Sequence, residues 1–472
     1  EIAQCLVGSE MCIRDRFPKE TYVNRRAALK KRVGSGILLF LGNNEVGMNY
    51  ADNTYDFRQD SSFLYYFGLP YAGLNAIIDI DNDREIIFGD ELTIDDIVWM
   101  GTQPTIHEKA SMVGISDTRP AADLAKYLRG AQILDQRIHY LPPYRKEHDV
   151  QLLHLLGVLP GAAQPSIAMI RAIVDQRNHK TAEEIVEIEK ACDVTADMHI
   201  NAMKMLRPGM RECEVSAVIN ATAEAAGMRL SFPIIATVNG QTLHNHYHGN
   251  VVKSGQMLLV DAGAETEMGY AGDMSSTICV DKTFTPRQKS IYDIQVASHL
   301  AAVNALKPGV PFKDVYELSC RVICDGLKDL GIMKGDSAEA VEAGAHAMFF
   351  PCGLGHMMGL DVHDMENLGE VWVGYDGKPK STQFGRKSLR LARPLEPGFV
   401  LTIEPGVYFI PELIDLWRGQ HKFEDFINYD EVEKWKDFSG LRNEEDYLIT
   451  ETGARLLGKK VPLTTEEVEA LR

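Results

Sequence analysis

A repeated turn between two helical patterns is the feature that most constrains how this chain folds. Residues 206–215 read LRPGMRECEV and residues 306–315 read LKPGVPFKDV, so Leu, a basic residue, Pro-Gly, an acid and Val recur one hundred residues apart. In each copy a helical pattern precedes the Pro-Gly pair and another follows it. A chance similarity of helix–turn–helix segments is one explanation. The sharper one is a duplicated half-domain.

A long amphipathic helix is predicted directly before the first copy. Thr181 and Glu184 form a capping-box signature, and Pro208-Gly209 ends the pattern. The segment 160–166, with Pro and Gly around small residues, predicts a domain boundary before this helix. One face of the predicted helix is apolar and consists of Ile185, Ile188, Ala191, Met198, Ala202 and Met205.

The chain before this boundary alternates helical patterns with short β-rich runs. That alternation predicts an α/β domain over residues 17–165, followed by a second domain over 166–472. The β-rich runs are GILLFLG (36–42), AIIDID (76–81), EIIFGD (85–90) and DIVWMG (96–101).

Residues 1–16 are treated separately, because LVGSEMCIRDR (6–16) has neither an amphipathic period nor a signal-peptide layout. We interpret 1–16 as an in-frame translation of a transposase adapter used in sequencing libraries. A natural leader is the alternative. Under the adapter interpretation Cys5 and Cys12 carry no structural argument, and neither the native start nor any targeting signal can be read from this sequence.

Charge and composition exclude some classes of partner. The formal net charge of −18 argues against binding to nucleic acid or an anionic membrane. No apolar run approaches the length of a membrane span. The 8 cysteines contain no CxxC pair, which favours reduced thiols over a disulfide framework. These features predict a cytoplasmic enzyme, although many proteins without catalytic activity share them.

Acidic residues lie at the ends of apolar strand patterns in the second domain. Residues 256–280, QMLLVDAGAETEMGYAGDMSSTICV, predict two strands joined by a turn. Asp261 ends the first apolar run, where an unpaired carboxylate would be costly. Asp273 begins the return strand. The hairpin therefore brings two carboxylates together at one end of a sheet.

Two further strand patterns add acids of the same kind. Glu404 follows the apolar run FVLTI, and in LRNEEDYLIT the side chains of Arg442 and Glu444 share a face because side chains alternate along a strand. A single acid at a strand end is usually solvated. Four such acids with a histidine in a Gly-rich segment instead favour Mn, Mg, Fe or Co over a thiolate-type zinc site. Two such ions suit hydrolytic chemistry.

The chain resembles the pita-bread metallopeptidases of the aminopeptidase P and prolidase branch. This resemblance implies an N-terminal α/β domain followed by a catalytic domain with an internal pseudo-two-fold repeat, an α/β (α+β) fold class. It rests on motifs in the family's order: FRQDSSFLYYFGL (57–69), VDAGAE (260–265), YAGDMSST (270–277), GLGHMMGLDVHD (353–364), TIEPGVY (402–408) and RNEEDYLIT (442–450).

The resemblance implies a centre of two divalent metal ions, commonly Mn²⁺. Its ligands would be Asp261, Asp273, His356, Glu404 and Glu444, with Asp273 and Glu444 bridging the ions. Glu404 would also act as general base during attack and as proton donor to the leaving nitrogen.

The resemblance also assigns roles outside the metal ligands. His363 would hydrogen-bond the reacting carbonyl, and Arg442 would hold a bridging carboxylate in place. His246 would be the substrate-side histidine, although the spacing also allows His244. Taken alone, the alternating His244, His246 and His248 suggest a three-His zinc site instead.

Three residues are expected to border the substrate. Cys352 stands where relatives often have histidine. Arg390 lies in a prolidase-like stretch and would meet a substrate carboxylate, with a solvated surface arginine as the alternative. Tyr408 either lines the site or packs as a buried aromatic. In the same region, Glu445 would replace Glu444 as ligand if the strand were shifted.

The resemblance implies an exopeptidase that releases the residue before proline, an Xaa-Pro aminopeptidase acting on peptides. A prolidase, which cleaves Xaa-Pro dipeptides, is the alternative. A non-catalytic relative and a metal-independent creatinase-like hydrolase are further alternatives, which the intact ligand set disfavours. Relatives commonly form homodimers or homotetramers.

Overall fold

The computed structural model describes residues 16–472 and divides them into two compact units. One unit extends to Arg177 and includes Asn367–Gly369, and the other contains Asn178–Glu366 and Glu370–Arg472. All of the interpreted adapter segment except Arg16 lies outside the described residues. Among these residues, no helix is both long and apolar enough to cross a membrane.

The first unit contains helices and a mixed sheet. Its helices are α1 (Lys19–Val33), α2 (Ser61–Phe67), α3 (Ile94–Met100), α4 (Ile106–Ser111), α5 (Asp123–Ile133), α6 (Lys146–Leu156) and α7 (Ile167–Asn178). Its strands are β1 (Ile37–Leu41), β2 (Asn75–Asp79), β3 (Arg84–Phe88), β4 (Asp117–Arg119) and β5 (Ile138–His139). The strand order is β4-β3-β2-β1-β5, with antiparallel pairs in the middle and a parallel pair at each edge.

Three of the predicted β-rich runs form the central strands β1, β2 and β3. Ile37, Leu39, Ile77 and Phe88 are buried in one cluster against Leu124 of α5. Burial of this apolar surface is the main stabilising term for such a layer. The α/β character predicted for this part of the chain is therefore confirmed.

The fourth run, DIVWMG, was expected to be extended, and that prediction is wrong. It lies in helix α3, which begins with a capping box. The Thr93 hydroxyl accepts from the Asp96 backbone N–H, and the Asp96 carboxylate accepts from the Thr93 N–H. Trp99 is 86% exposed. The β-branched and aromatic residues gain nothing here from packing in a sheet, so the cap decides the conformation.

The second unit begins near the predicted long helix, α8 (Ala182–Met205), whose capping box from Thr181 to Glu184 is confirmed. Its other helices are α9 (Glu212–Ala225), α10 (Pro286–Ala305), α11 (Phe312–Asp329), α12 (Ser337–Ala343), α13 (Glu370–Val373), α14 (Pro411–Gly419), α15 (Tyr429–Val432) and α16 (Thr465–Glu469). Short 3-10 helices occupy Ala345–Met348, Arg386–Ser388 and Glu433–Trp435. A further 3-10 helix, Glu366–Leu368, begins in this unit and ends within the segment Asn367–Gly369 of the first unit.

The strands of this unit form small, mostly antiparallel sheets. They are β6 (Arg229–Leu230), β7 (Ile235–Thr237), β8 (Met257–Ala262), β9 (Ala264–Glu265), β10 (Met274–Cys279), β11 (Val400–Ile403), β12 (Gly406–Tyr408), β13 (Gly440–Arg442), β14 (Glu445–Ile449) and β15 (Ala454–Leu456). The pairings are β10-β8-β7, β11-β14-β15, β12-β13 and β6-β9.

The predicted repeat is confirmed by equivalent backbone contacts. In the first copy, between α8 and α9, the Gly209 N–H donates to the Val252 carbonyl over 2.8 Å. In the second copy, between α10 and α11, the Gly309 N–H donates to the Leu395 carbonyl over the same distance. Strand β8 follows the first of these carbonyls and β11 follows the second. Each half therefore places a helix pair and one strand in the same relation, with Asp261 inside β8 and Glu404 directly after β11.

Backbone pairing brings the side chains of the candidate metal ligands together. The predicted hairpin of β8 and β10 is confirmed, with Ser275 opposite Asp261. The Glu444 N–H donates to the Ser275 carbonyl over 2.9 Å, which joins β10 to the segment between β13 and β14. On the other side, the Thr402 N–H of β11 donates to the His356 carbonyl over 3.0 Å.

Gly355 permits this last approach. A Cβ at this position would lie 2.0 Å from the Thr402 carbonyl oxygen, so any larger residue would push the His356 segment away from β11. The glycine therefore serves the approach of one backbone to another.

Candidate metal centre

Three side chains converge at the point where these segments meet. Ligand atoms of Asp273, His356 and Glu444 all lie within 4.8 Å of one another, and all three residues are buried. Glu404 adjoins them, with its Oε1 3.8 Å from His356 Nε2. Carboxylate oxygens with one imidazole form a donor set for hard or borderline divalent ions.

The His356 ring is oriented for ligation through Nε2. Its Nδ1 lies 3.0 Å from the Met357 carbonyl oxygen, which can only accept, so Nδ1 carries the proton. Nε2 is left with its lone pair 3.3 Å from Asp273 Oδ2. Burial lowers the pKa of His356 and keeps the ring neutral, as a metal ligand requires.

The carboxylates are too close together to be charged without a cation. Burial, and then the neighbouring Asp261, raise the pKa of Asp273 well above its usual value. Burial and then Asp273 do the same to the pKa of Glu444, and burial raises the pKa of Glu404. A cluster of this kind either holds protons or binds cations.

Arg442 supplies a fixed positive charge behind the cluster. Its Nη2 donates to Asp261 Oδ2 over 2.5 Å and its Nε donates to Ser275 Oγ over 2.9 Å. The Ser275 hydroxyl in turn donates to Glu444 Oε2 over 2.8 Å. One guanidinium therefore orients two candidate ligands, one directly and one through a hydroxyl.

The donor set fits divalent metal ions. Asp261 Oδ1 is buried and has no hydrogen-bond partner among the described residues. An unsatisfied carboxylate oxygen is costly inside a protein, and a metal ion would remove that cost. The cluster also contains more acids than bases, which favours the binding of a cation.

The cluster lies in a cavity of about 640 Å³. This volume suits a short peptide. All of the predicted ligands line the cavity, namely Asp261, Asp273, His356, Glu404 and Glu444.

Comparison with known proteins identifies the family. The sequence model of metallopeptidase family M24 matches residues 186–451, and that of the aminopeptidase P N-terminal domain matches residues 22–139. The chain belongs to metallopeptidase family M24. It is thus a metal-dependent hydrolase, with an aminopeptidase P-type N-terminal domain before the M24 domain.

Individual relatives cover nearly the whole chain. The Xaa-Pro aminopeptidase of Escherichia coli (strain K12) is 31% identical over 96% of this chain and 97% of its own length. The human Xaa-Pro dipeptidase is 30% identical over 93% and 89%. The solved structure of Pseudomonas aeruginosa aminopeptidase PepP superposes with a TM-score of 0.80 at 28% identity, covering 97% of this chain and 98% of that one.

His363, the predicted partner of the reacting carbonyl, lines the M24 cavity, and its ring centre is 4.3 Å from that of His356. Its Nδ1 lies 2.6 Å from Glu366 Oε2. The hydrogen bond from His363 lowers the pKa of Glu366 to about 2, so this carboxylate is ionised and Nδ1 is the donor. The neutral ring then offers Nε2 as an acceptor, and only the protonated ring donates from both nitrogens.

The three alternating histidines do not form a zinc site. His246 Nδ1 and His248 Nε2 lie 3.5 Å and 3.1 Å from the same carbonyl, that of Ile234. His244 and His246 both line the cavity. Burial and then the charge of Arg442 lower the pKa of His244. The choice of His246 over His244 stays a prediction, because both residues line the cavity.

Tyr408 requires a correction. It is fully buried and does not line the cavity, so the packed-aromatic alternative is the right one. Its hydroxyl accepts from Arg442 Nη1 over 2.8 Å, which supports the guanidinium from behind. Cys352 does line the cavity. Burial and then Glu404 raise the pKa of its thiol to about 12, so it remains an uncharged, weakly ligating neighbour.

Glu445 is not placed to replace Glu444. Its Oε2 lies 2.9 Å from His299 Nε2 and accepts from the Tyr447 hydroxyl over 2.6 Å. The residue does not line the cavity. Strand alternation therefore places Glu444 on the cavity side and Glu445 on the opposite side.

Sequence reasoning missed Asp446, which contacts the backbone of the candidate ligand Asp273. Its Oδ2 accepts from the Asp273 N–H over 3.1 Å and lies 3.2 Å from Cys192 Sγ. Burial raises its pKa to about 7. The sequence did contain a sign of this role, because Asp446 lies two residues after Glu444 and therefore on the same side of the strand.

Proposed function

We propose that this chain is an Xaa-Pro aminopeptidase, which releases the N-terminal residue from peptides with proline in second position. The observation that carries the proposal is the convergence of Asp273, His356 and Glu444 in a peptide-sized cavity. The proposed specificity for proline rests on the relatives, which are Xaa-Pro aminopeptidases and dipeptidases. Peptides are therefore the proposed substrates.

We further propose two divalent ions per subunit, Mn²⁺ in the first instance, held by Asp261, Asp273, His356, Glu404 and Glu444. Such ions would supply the positive charge and Lewis acidity that amide hydrolysis requires. The number of carboxylates supports more than one cation, because a single ion would leave buried negative charge uncompensated.

Glu404 is suited to the proton transfers. It follows β11, lines the cavity and is 20% exposed at its side chain, so it reaches the space open to substrate. It would take a proton from the attacking water and deliver it to the prolyl nitrogen as the C–N bond breaks. That nitrogen carries no hydrogen in the peptide bond, so it cannot leave as an amine without this proton.

A peptide-length series tests the proposal. Purified protein would be assayed on Xaa-Pro and on Xaa-Pro-Yaa-Zaa, with and without added Mn²⁺. We expect Mn²⁺-dependent hydrolysis of the longer peptide, lost in Asp273→Asn. The matched control is Asp437→Asn, a surface acid paired with Arg287. Turnover of the dipeptide alone would contradict the proposal.

Prolidase activity is the second candidate. It is favoured by the human Xaa-Pro dipeptidase and by Arg390, a cavity-lining cation that suits a substrate carboxylate. The division into domains 17–165 and 166–472, the cytoplasmic location and the homodimer or homotetramer stay predictions.

A further inference from the structure

A second cavity in the unit that carries the metal centre is lined mainly by basic side chains. Its volume is about 620 Å³, and none of the predicted metal ligands lines it. We call this cavity the basic pocket. Its charged lining consists of five cations, Lys313, Lys378, Lys380, Arg386 and Arg393, and two acids, Asp376 and Glu396.

Several of the acids that pair with these cations lie outside the lining of the basic pocket. Arg386 Nη2 is 3.1 Å from Glu317 Oε1 and 3.1 Å from Glu342 Oε2, and Lys380 pairs with Glu370. None of these three acids lines the pocket. An anion inside it would therefore lie closer to the cations than to their partners, and attraction would exceed repulsion.

The positive charge of the basic pocket is not fully compensated. Lys313 Nζ lies 3.5 Å from the same Glu317 oxygen that pairs with Arg386, so two cations share one carboxylate. Glu342 is 81% exposed at its side chain, and water screens its charge. Lys378 forms no ion pair with any described residue. One cation is left in excess of the lining acids and the half-buried Glu317 and Glu370.

Two arginines give the basic pocket a fixed part. The side chains of Arg386 and Arg393 are only 13% and 16% exposed, and the guanidinium carbon of Arg393 lies 5.3 Å from the ring centre of Phe399. Packed guanidinium groups lose little freedom when a ligand binds, and their geometry matches the oxygens of a phosphate. A phosphate monoester carries about −1.5 to −2 charges at pH 7, so it engages more of the five cations than a carboxylate does.

We propose that the basic pocket binds a small phosphate-bearing molecule. Its volume is that of a site for a small organic ligand. Tyr375 and Leu389 also line it and would pack against the nucleoside of a mononucleotide, whereas free phosphate would leave them uncovered. The proposal is independent of the proposed peptidase function, because the pocket contains none of the candidate metal ligands.

Lys380 belongs to the walls of both cavities. Its partner Glu370 lines the cavity of the metal centre and not the basic pocket. A phosphate in the basic pocket therefore competes with Glu370 for the Lys380 ammonium. Glu370→Gln should strengthen phosphate binding, although the substituted residue lies outside the pocket.

Calorimetric titration of the metal-loaded protein with inorganic phosphate and with adenosine monophosphate tests the proposal. We expect saturable binding that weakens as NaCl is added. Lys378→Gln should lower the affinity about two- to fivefold, and Lys313→Gln/Lys378→Gln about fivefold or more. The matched control is Lys434→Gln, a surface lysine paired with Glu431, which should leave the affinity unchanged. Tighter binding of the nucleotide would identify it as the ligand, and equal affinities would identify free phosphate.

The metal centre is the rival site for phosphate, because bound metal ions also attract anions. Asp273→Asn weakens the metal centre and should leave phosphate binding in place. Phosphate binding that is lost in Asp273→Asn but unchanged in Lys313→Gln/Lys378→Gln would overturn the proposal. Absence of saturable binding of both ligands to the wild-type protein would overturn it as well.

Discussion

At the scale of single residues, Arg442 is the side chain on which the geometry of the centre most depends. Its three nitrogens contact Asp261, Ser275 and Tyr408, and it is 4% exposed. Lysine keeps the charge but has one nitrogen, so it cannot make these divergent contacts. The position therefore tests geometry separately from charge.

For Arg442→Lys we expect metal affinity to fall by about 10- to 100-fold, the usual effect of losing a group that orients metal ligands. The measurement is competition with a chelator, with metal content determined at each chelator concentration. Arg418→Lys is the matched control, since Arg418 forms a surface pair with Asp430. Unchanged metal affinity in Arg442→Lys would show that charge alone suffices.

At the scale of elements, one buried ion pair joins the start of α8 to the segment that carries His363. Lys180 Nζ lies 2.7 Å from Asp364 Oδ2, and both side chains are 1% exposed. Asp364 Oδ1 also accepts from the Asp361 N–H over 3.4 Å. Asp364 is the next residue after His363, so loss of the pair should change the position of His363 in the cavity.

Asp364→Asn should destabilise the protein by about 3–5 kcal/mol, because it removes a carboxylate charge that is paired with the buried Lys180 ammonium. The change is measured as a fall in thermal or urea midpoint. The control is Asp197→Asn, whose partner Lys459 is half exposed, and for which about 1 kcal/mol or less is expected. Equal effects of the two substitutions would contradict the structural role of the buried pair.

Elements with local signals could be predicted from the sequence, and those set by distant contacts could not. The capping box of α8 and the strand–turn–strand pattern of β8 and β10 are local, and both predictions are confirmed. Helix α3 was not predicted, because its β-branched residues suggested a strand and its N-terminal capping box was not taken into account. The contacts of Glu366 and Tyr408 depend on side-chain direction after folding, which no spacing specifies.

At the scale of the whole molecule, the acid cluster couples metal binding to folding and to pH. The chain carries a formal charge of −18, and the pKa values of Asp273, Glu404 and Glu444 are raised. Their values in the unfolded chain lie near 4. The folded, metal-free protein therefore binds more protons than the unfolded chain over the range between the two values.

The sign of the effect follows from this difference. Because the folded pKa values lie above the unfolded ones, the stability linked to these protons is present below about pH 4. It is lost as the pH rises through the folded values. Divalent ions bind the deprotonated carboxylates, so their binding strengthens over the same range and releases protons. Metal and pH should therefore act on stability in opposite directions.

We expect the difference in Tm between Mn²⁺-loaded and chelator-treated protein to increase as the pH rises from about 5 to 8. Scanning calorimetry in paired buffers measures it, and subtraction of the two curves removes the contribution of acids elsewhere in the chain. Asp273→Asn removes one titrating ligand and should flatten the increase. A difference that is large but independent of pH would mean that the carboxylates are already ionised in the metal-free protein and are compensated by protein cations such as Arg442.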